Sequence, residues 1–101
     1  YIGAIGSTVQ TRLTFDPEVD GTPRWAPDGK SLSFVSARTG DGDIYWVEDI
    51  TKFLGKEPKR ETKNAFVRLT TSSGEEMFPS YSPNGRFLAY TCTRLMVDSP
   101  C

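Results

Sequence analysis

Short runs in which apolar and polar residues alternate cover most of the chain. Leu32 and Phe34 fall on one face of the run "SLSFVSA", and Tyr45 and Val47 fall on one face of the run "DIYWVED". A period of two is typical of half-buried strands. Nearly every run is bounded by Gly, Pro, Asp or Ser, which favour tight turns. The pattern therefore predicts an all-β chain of short antiparallel strands.

The predicted strands are separated by turn signals, with one exception. Because two tight turns lie within residues 22–49, we expect one continuous antiparallel meander there, whose central strand pairs on both sides. Residues 50–64 are charged, lack a period of two and predict a long loop with one helical turn at residues 50–54. The predicted strands are residues 1–5, 9–15, 22–26, 31–37, 43–49, 65–70, 78–82 and 87–93.

A repeat without gaps runs through these strands at a shift of 56 residues. The triplet "RLT" at 12–14 recurs at 68–70, and "PRWAPDGKSLSFVS" at 23–36 recurs as "PSYSPNGRFLAYTC" at 79–92. The matches include strand positions and turn residues together. A repeat at this spacing indicates an architecture built from copies of one structural unit.

Each copy contains the same turn, "PDG" in the first and "PNG" in the second. Proline suits the first corner of a type I bend, and the glycine that follows the Asp or Asn can take a positive φ. This combination is typical of a three-residue hairpin loop with a glycine bulge. We therefore expect positive φ angles at Gly29 and Gly85.

Residues 12–49, "RLTFDPEVDGTPRWAPDGKSLSFVSARTGDGDIYWVED", resemble the β-propeller repeat of TolB and its relatives. That repeat has Leu-Thr, a gap, Pro-x-Trp-Ser-Pro-Asp-Gly, a hydrophobic strand ending in Ser, Arg-x-Gly and then Ile-Tyr. Here Ala26 stands in place of the usual Ser. The second copy, residues 68–94, has Tyr81 for Trp and Asn84 for Asp, and its last third has no match. The resemblance implies four-stranded antiparallel blades arranged around an axis.

By this resemblance the chain is an incomplete propeller. Residues 1–15 are the outer strands of a preceding blade, residues 22–70 are one complete blade with the long loop at 50–64, and residues 78–93 begin the next blade. Propellers usually need about 4–8 blades to close. The chain is then a fragment of a larger propeller, a short chain that assembles into a ring, or an array covered by a partner. The start at Tyr1 and the shortened second repeat favour the fragment.

The amino-acid composition limits the kinds of binding and catalysis that this chain can perform. The formal net charge is −1, so no bulk charge attracts nucleic acid or an anionic membrane, and no apolar run approaches the ~18 residues of a membrane span. The chain has no histidine, which excludes a Ser-His-Asp triad and His-ligated metal sites within it. We predict no cofactor and no catalytic group in this chain, although a parent enzyme stays open.

The candidate contact residues lie on one strand and one loop. Because neighbouring strand residues point to opposite faces, one of Tyr45 and Trp46 is expected at the surface. The basic loop could bind an acidic partner, although its mixed charges favour a solvated loop. Several carboxylates could hold Ca²⁺, but their spacing fits no known loop and turn roles are favoured, so no metal is predicted. The predicted partner-binding residues are Tyr45, Trp46, Lys56, Lys59 and Arg60.

Two further pairs have alternative interpretations. Trp25 and Tyr81 are expected to pack between neighbouring blades rather than to face a ligand. Cys92 and Cys101 form a disulfide if the chain is exported, whereas a buried, unbridged Cys92 is slightly favoured by its apolar neighbours.

The resemblance implies a non-catalytic module for protein–protein interaction in the bacterial periplasm or cell envelope. Its partners are other protein chains or the rest of a longer propeller, and a homo-oligomer is possible. Two alternatives stay open: the substrate-gating propeller of a prolyl-oligopeptidase-like serine peptidase, and a short lectin-like chain that oligomerises into a ring.

Overall fold

A computed structural model of the chain describes residues 1–8, 10–15, 18, 20–38, 40, 42–53, 66–71 and 74–93. These residues form short strands and, in the part described, one 3₁₀ turn at Ile50–Lys52. The prediction of an all-β chain is confirmed. The strands are β1 (Ile2–Gly3), β2 (Gln10–Thr11), β3 (Asp20–Trp25), β4 (Leu32–Ser36), β5 (Asp43–Val47), β6 (Val67–Arg68), β7 (Glu75–Tyr81) and β8 (Leu88–Thr93).

The described strands make three antiparallel sheets, in the orders β1-β2, β3-β4-β5-β6 and β7-β8. In the middle sheet β4 pairs with both β3 and β5, so the predicted meander is confirmed. In the described part of the chain, the outermost strand, β6, pairs with β5 through two residue pairs. Part of the predicted loop, residues 54–64, lies outside the described residues; the helical turn predicted at its start is present as the 3₁₀ turn.

The sequence repeat is also a repeat of strand register. Trp25 lies opposite Leu32 in the first copy, and Tyr81 lies opposite Leu88 in the second. Both members of the second pair are 56 residues beyond those of the first. The β7–β8 sheet is therefore a second copy of the β3–β4 hairpin, residue for residue.

A β-bulge interrupts each copy at the same place. The register shifts between Gly21 and Arg24 in one hairpin and between Met77 and Ser80 in the other. Inside the bulges, the residue before each repeat proline has a left-handed backbone: φ is 44° at one site and 56° at the other. These two residues are Thr22 and Phe78. The predicted starts of these strands at residues 22 and 78 are late, because a bulge breaks the period of two on which the prediction rests.

The two hairpin turns have the predicted geometry. Gly29 has a φ of 71° and donates its N–H to the carbonyl of Ala26 at 3.0 Å. Gly85 has a φ of 73° and donates to Ser82 at 2.9 Å. In the first turn the side chain of Asp28 stabilises the bend, because its Oδ1 accepts the backbone N–H of Lys30.

The hydrophobic core lies on one face of the middle sheet. The Phe34 ring stacks on Tyr45 with 5.9 Å between ring centroids and meets the edge of Phe66 at 5.3 Å. The guanidinium of Arg38 lies 4.9 Å from the centre of the Tyr45 ring and reaches the carboxylate of Asp20 at 3.7 Å. The cation thus covers the aromatic cluster and links β3 to it. The buried members of the core are Leu13, Leu32, Phe34, Tyr45, Val47 and Ile50.

The two copies of the hairpin differ in how well they are covered. Phe34 on β4 is 4% exposed, whereas its repeat partner Tyr90 on β8 is 47% exposed. The strand β4 has β5 beside it, while among the described residues β8 pairs only with β7. The second hairpin therefore presents apolar side chains that the first one buries.

Replacing Gly29 by valine should destabilise the chain by more than ~1 kcal/mol. A β-branched residue is strained at positive φ, even though an added Cβ would meet no atom within 4 Å. Urea unfolding followed by circular dichroism measures the loss. Gly21→Val is the matched control, since it also has open space for a Cβ but no positive φ. Equal losses in the two variants would contradict the turn assignment.

Candidate interaction surface

A groove lies where the two repeats meet, next to the outer half of the middle sheet. Its volume is about 440 Å³. It combines the first hairpin turn, the end of β5, the 3₁₀ turn and the hairpin turn of the second repeat. Its lining residues are Asp28, Lys30, Ser31, Trp46, Glu48, Asp49, Lys52 and Gly85.

Trp46 is the aromatic residue of this groove. It alternates along β5 with Tyr45, so the two side chains point to opposite faces of the sheet. Tyr45 is buried against Phe34 in the core, whereas Trp46 is half-buried. Burial does not support a direct contact by Tyr45, so of this predicted pair Trp46 is the residue that an incoming molecule can touch.

Carboxylates at the rim are held by local hydrogen bonds. The pKa of Asp28 is lowered because its carboxylate accepts backbone N–H groups from Lys30 and Ser31. The pKa of Asp49 is lowered because it accepts the hydroxyl and the N–H of Thr51. Both side chains are therefore anionic at neutral pH and fixed in position, and the groove carries charges of both signs.

The basic residues predicted to bind a partner, Lys56, Lys59 and Arg60, lie outside the described residues. Their role stays a prediction, as does that of Trp46. Of the lysines of the groove, the one in the first hairpin turn was not singled out from the sequence, and the one in the 3₁₀ turn was considered only as part of the basic loop, because only the fold brings these two turns together. These lysines are Lys30 and Lys52.

Tyr81, at the end of β7 in the second repeat, packs beside Trp46 of the first repeat. Its phenol lies close to Ser33 and Trp46, and burial is the main reason why its pKa is raised. The sequence predicted packing between neighbouring blades for Tyr81, and the structure shows that it packs against the first repeat. The residue related to Tyr81 by the repeat is Trp25. Its side chain is 53% exposed, so in the described structure it is not packed in the way that Tyr81 is.

Buried charges lie at the joint between the middle sheet and β7. Asp43 is fully buried and accepts a hydrogen bond from Nη2 of Arg68 at 2.6 Å. Thr70 donates its hydroxyl to the same carboxylate at 3.4 Å and accepts the N–H of Ile44 at 2.9 Å. The Asp43 carboxylate thus fixes the end of β6 and the start of the segment that leads from β6 to β7. Sequence reasoning missed this site, because the partners are 25 to 27 residues apart.

Glu76 brings a second carboxyl group into this joint from β7. Its backbone N–H donates to the carbonyl of Gly42 at 2.6 Å, and the residue is 1% exposed. Burial is the main reason that its pKa is raised from 4.5 to about 7, and the neighbouring carboxyl of Asp43 adds to the effect. Glu76 is therefore protonated below neutral pH, in contact with an acidic neighbour. One signal was available: Glu76 is the repeat partner of Asp20, so both copies carry an acid at this position.

Cys92 lies beside this joint. It is disulfide-bonded, and its Sγ is 3.9 Å from Oε1 of Glu76. The slightly favoured interpretation, a buried unbridged cysteine, is therefore wrong. The reason is that the apolar pattern of the strand cannot show whether a thiol has a partner. Cys101 lies outside the described residues.

The part of the chain that the structure describes shows neither a metal-binding cluster nor a membrane-spanning helix. No group of three or more Cys, Asp or Glu side chains there is arranged to hold a metal ion. In the same part of the chain, no helix has the length and apolar character needed to cross a membrane.

Comparison with known proteins finds a bacterial relative. The chain is 33% identical over 90 residues to the uncharacterized protein Atu1656 of Agrobacterium fabrum, with 77% of this chain and 27% of that protein covered. The chain thus spans about a quarter of the length of that relative. No protein-family model matches the chain. No solved structure matches it either.

Replacing Glu76 by glutamine should remove a pH dependence of stability. In the folded chain the pKa of Glu76 is about 7, whereas the ordinary pKa of a glutamic acid side chain is 4.5. Unfolding between these pH values releases a proton, so the free energy of unfolding of the natural chain falls as pH rises through this window, by up to about 3 kcal/mol. It then levels off above pH 7.

The measurement is urea unfolding of both proteins at several pH values from 4.5 to 8. Glutamine is uncharged and can donate a hydrogen bond to Asp43, so Glu76→Gln should match the natural chain near pH 5 and exceed it at pH 8. Asp28 and Asp49 titrate below this window in both proteins and cancel in the difference. A pH-independent difference between the two proteins would show that Glu76 does not titrate in this range.

Proposed function

We propose that this chain is a non-catalytic part of a TolB-type β-propeller that binds another protein in the bacterial cell envelope. The repeat supports the architecture, because the strand register and the bulge recur with the sequence at 56 residues. The four-stranded antiparallel middle sheet has the strand order expected of one blade. The matched relative is longer than the chain, which fits a unit that belongs to a larger array.

The groove that contains Trp46 carries the proposal for binding. It is concave, it lies between two structural units, and it presents one half-buried indole ring among charges of both signs. Tryptophan is among the residues that most often dominate the binding energy of protein interfaces. Fixed carboxylates at the rim favour a partner that brings an apolar side chain flanked by basic groups. The lysines Lys30 and Lys52 offer matching positions for acidic groups.

The cell envelope is supported by the cysteine chemistry. Disulfides persist in oxidising compartments such as the bacterial periplasm and are rare in the cytosol. Cys92 is bridged and lies beside Glu76 at the joint between the repeats. The proposed compartment and the proposed fold family therefore agree.

Replacing Trp46 by alanine should weaken partner binding about 30-fold or more without unfolding the chain. The protein would be immobilised and exposed to an envelope extract of the bacterium that encodes it. Retained proteins would be identified by mass spectrometry, and the affinity of each purified candidate would be measured by titration. Loss of a central tryptophan contact is expected to cost about 2 kcal/mol or more, which is roughly 30-fold in affinity.

Ile5→Ala is the matched control, because Ile5 is an exposed apolar residue in the β1–β2 turn and outside the groove. Circular dichroism and urea unfolding confirm that each variant is folded. A partner that binds Trp46→Ala as tightly as the natural chain would refute the groove as its binding site. Labelling of the parent protein by a fluorophosphonate would instead indicate a serine peptidase.

A further inference from the structure

The strand β7 connects the buried carboxyl pair of Asp43 and Glu76 to the groove that contains Trp46, the Trp46 groove. Near its start, β7 carries Glu76, which meets Asp43 at the beginning of β5. At its end, β7 carries Tyr81, which packs beside Trp46 on the same strand β5. Asp43 and Trp46 are three residues apart on β5, so the carboxyl pair lies about 10 Å along the strand from the groove.

The second repeat bounds the groove through residues that follow Glu76 in the β7–β8 hairpin. Gly85, in the hairpin turn, lines the groove. This turn packs on the first one, since a Cβ added at Gly85 would lie 3.6 Å from Cδ of Pro27. Tyr81 supports Trp46 from the second repeat. Both parts of the groove therefore depend on how β7 lies against the middle sheet.

The carboxyl pair is compensated while Glu76 carries its proton. Asp43 is fully buried and accepts a hydrogen bond from Arg68 at 2.6 Å, so its negative charge has a partner. Glu76 is 1% exposed, and its Oε2 accepts no hydrogen bond in the described part of the chain. Cys92 on β8 lies opposite Glu76 but is disulfide-bonded and does not titrate. Without its proton, Glu76 is a buried anion beside a second carboxylate.

The other strands packed against β7 bring no cation to Glu76 in the described part of the chain. On β3, Asp20 pairs with Arg38 at 3.7 Å, and Arg24 is exposed. The strand β4 has no titratable residue. Glu75, the neighbour on β7 itself, has an exposed side chain. Burial therefore raises the pKa of Glu76 to about 7, and the adjacent carboxyl group adds to the rise.

We propose that ionisation of Glu76 switches the Trp46 groove between two states. In the protonated state β7 lies against β5 and the groove is complete. In the ionised state β7 separates from β5, and the groove loses the wall and the support that the second repeat provides. The partner therefore binds more tightly at acid pH than at alkaline pH. This inference rests on the proposed function, because it concerns the control of the same site.

Ionisation acts on the contact that joins the two strands. The N–H of Glu76 donates to the carbonyl of Gly42 at 2.6 Å, directly before Asp43. Two buried carboxylates reduce their repulsion by separating into water, and that separation breaks this hydrogen bond. The backbones are in close contact here, since a Cβ added at Gly42 would lie 3.0 Å from Cγ of Glu75. Because β7 is paired with β8 along its length, the hairpin moves as one unit and displaces Tyr81.

The coupling between proton and partner is reciprocal. If the protonated state binds the partner more tightly by some factor, the bound partner raises the affinity of Glu76 for its proton by the same factor. Couplings between two sites are typically about 5–150-fold. We therefore expect the partner to bind at least about fivefold more tightly at pH 5.5 than at pH 8.5.

Titration of a captured partner at these two pH values tests the switch in three proteins. Glu76→Gln stays neutral and keeps the size of the side chain, so its affinity should be the same at both pH values. Glu75→Gln is the matched control, because it is the same substitution at an exposed neighbour on the same strand, and it should keep the pH dependence of the natural chain. The charges of the groove are the same in all three proteins. Equal affinities of the natural chain at the two pH values would overturn the inference and leave the proposed function standing, as would an unchanged pH dependence in Glu76→Gln.

Acrylamide quenching of tryptophan fluorescence tests the switch without a partner. Trp25→Phe leaves Trp46 as the single tryptophan of the chain, and acrylamide is uncharged, so pH acts only on the protein. Between pH 5.5 and 8.5 the quenching constant should rise about twofold, as the half-buried indole becomes exposed, and it should stay constant when Glu76→Gln is added. Circular dichroism at both pH values confirms that each protein is folded. Failure to capture any partner would count against the proposed function, and quenching then decides on the switch: a constant that does not change with pH, or that rises equally with Glu76→Gln, refutes it.

Discussion

The packing of β7 against the middle sheet is the interaction on which the rest of the structure depends. The core covers one face of that sheet, and among the described residues the neighbouring repeat covers the other, where Ile44 is completely buried. The N–H of Glu76 closes the contact by donating to Gly42. A single four-stranded sheet cannot bury both of its apolar faces by itself, so each repeat unit is stable only when it packs beside the next. The Trp46 groove and the buried carboxyl pair both arise at this joint.

Features that depend on neighbouring residues could be predicted from the sequence. Pro-Asp-Gly and Pro-Asn-Gly identified the turns at Gly29 and Gly85, because the geometry is encoded in the turn residues themselves. The alternation of "DIYWVED" identified β5 and the opposite orientations of its two aromatic rings. The bulges were missed, because a single unpaired residue shifts the pattern by one position and resembles a loop.

Features that depend on tertiary contacts could not be predicted in this way. Nothing near Asp43 in the sequence indicates that Arg68 and Glu76 meet it, and the acidity of a glutamic acid depends on burial that composition does not show. Trp46, the accessible aromatic residue of the groove, was predicted to bind a partner, but the rest of the groove was not. Its other walls come from two turns and a 3₁₀ turn that only the fold brings together.

The bulges in the inner strands have a consequence for how such a chain diverges. Each places a residue other than glycine in the left-handed region directly before a proline, which is an unfavourable backbone in two respects. The residue is Thr22 in one copy and Phe78 in the other, so the side chain has changed while the backbone has not. The bend is therefore specified by the surrounding pairing and not by the residue that forms it. Duplicated units can then exchange surface chemistry at this position, from a small hydroxyl to a large ring, while they keep the curvature that lets them stack.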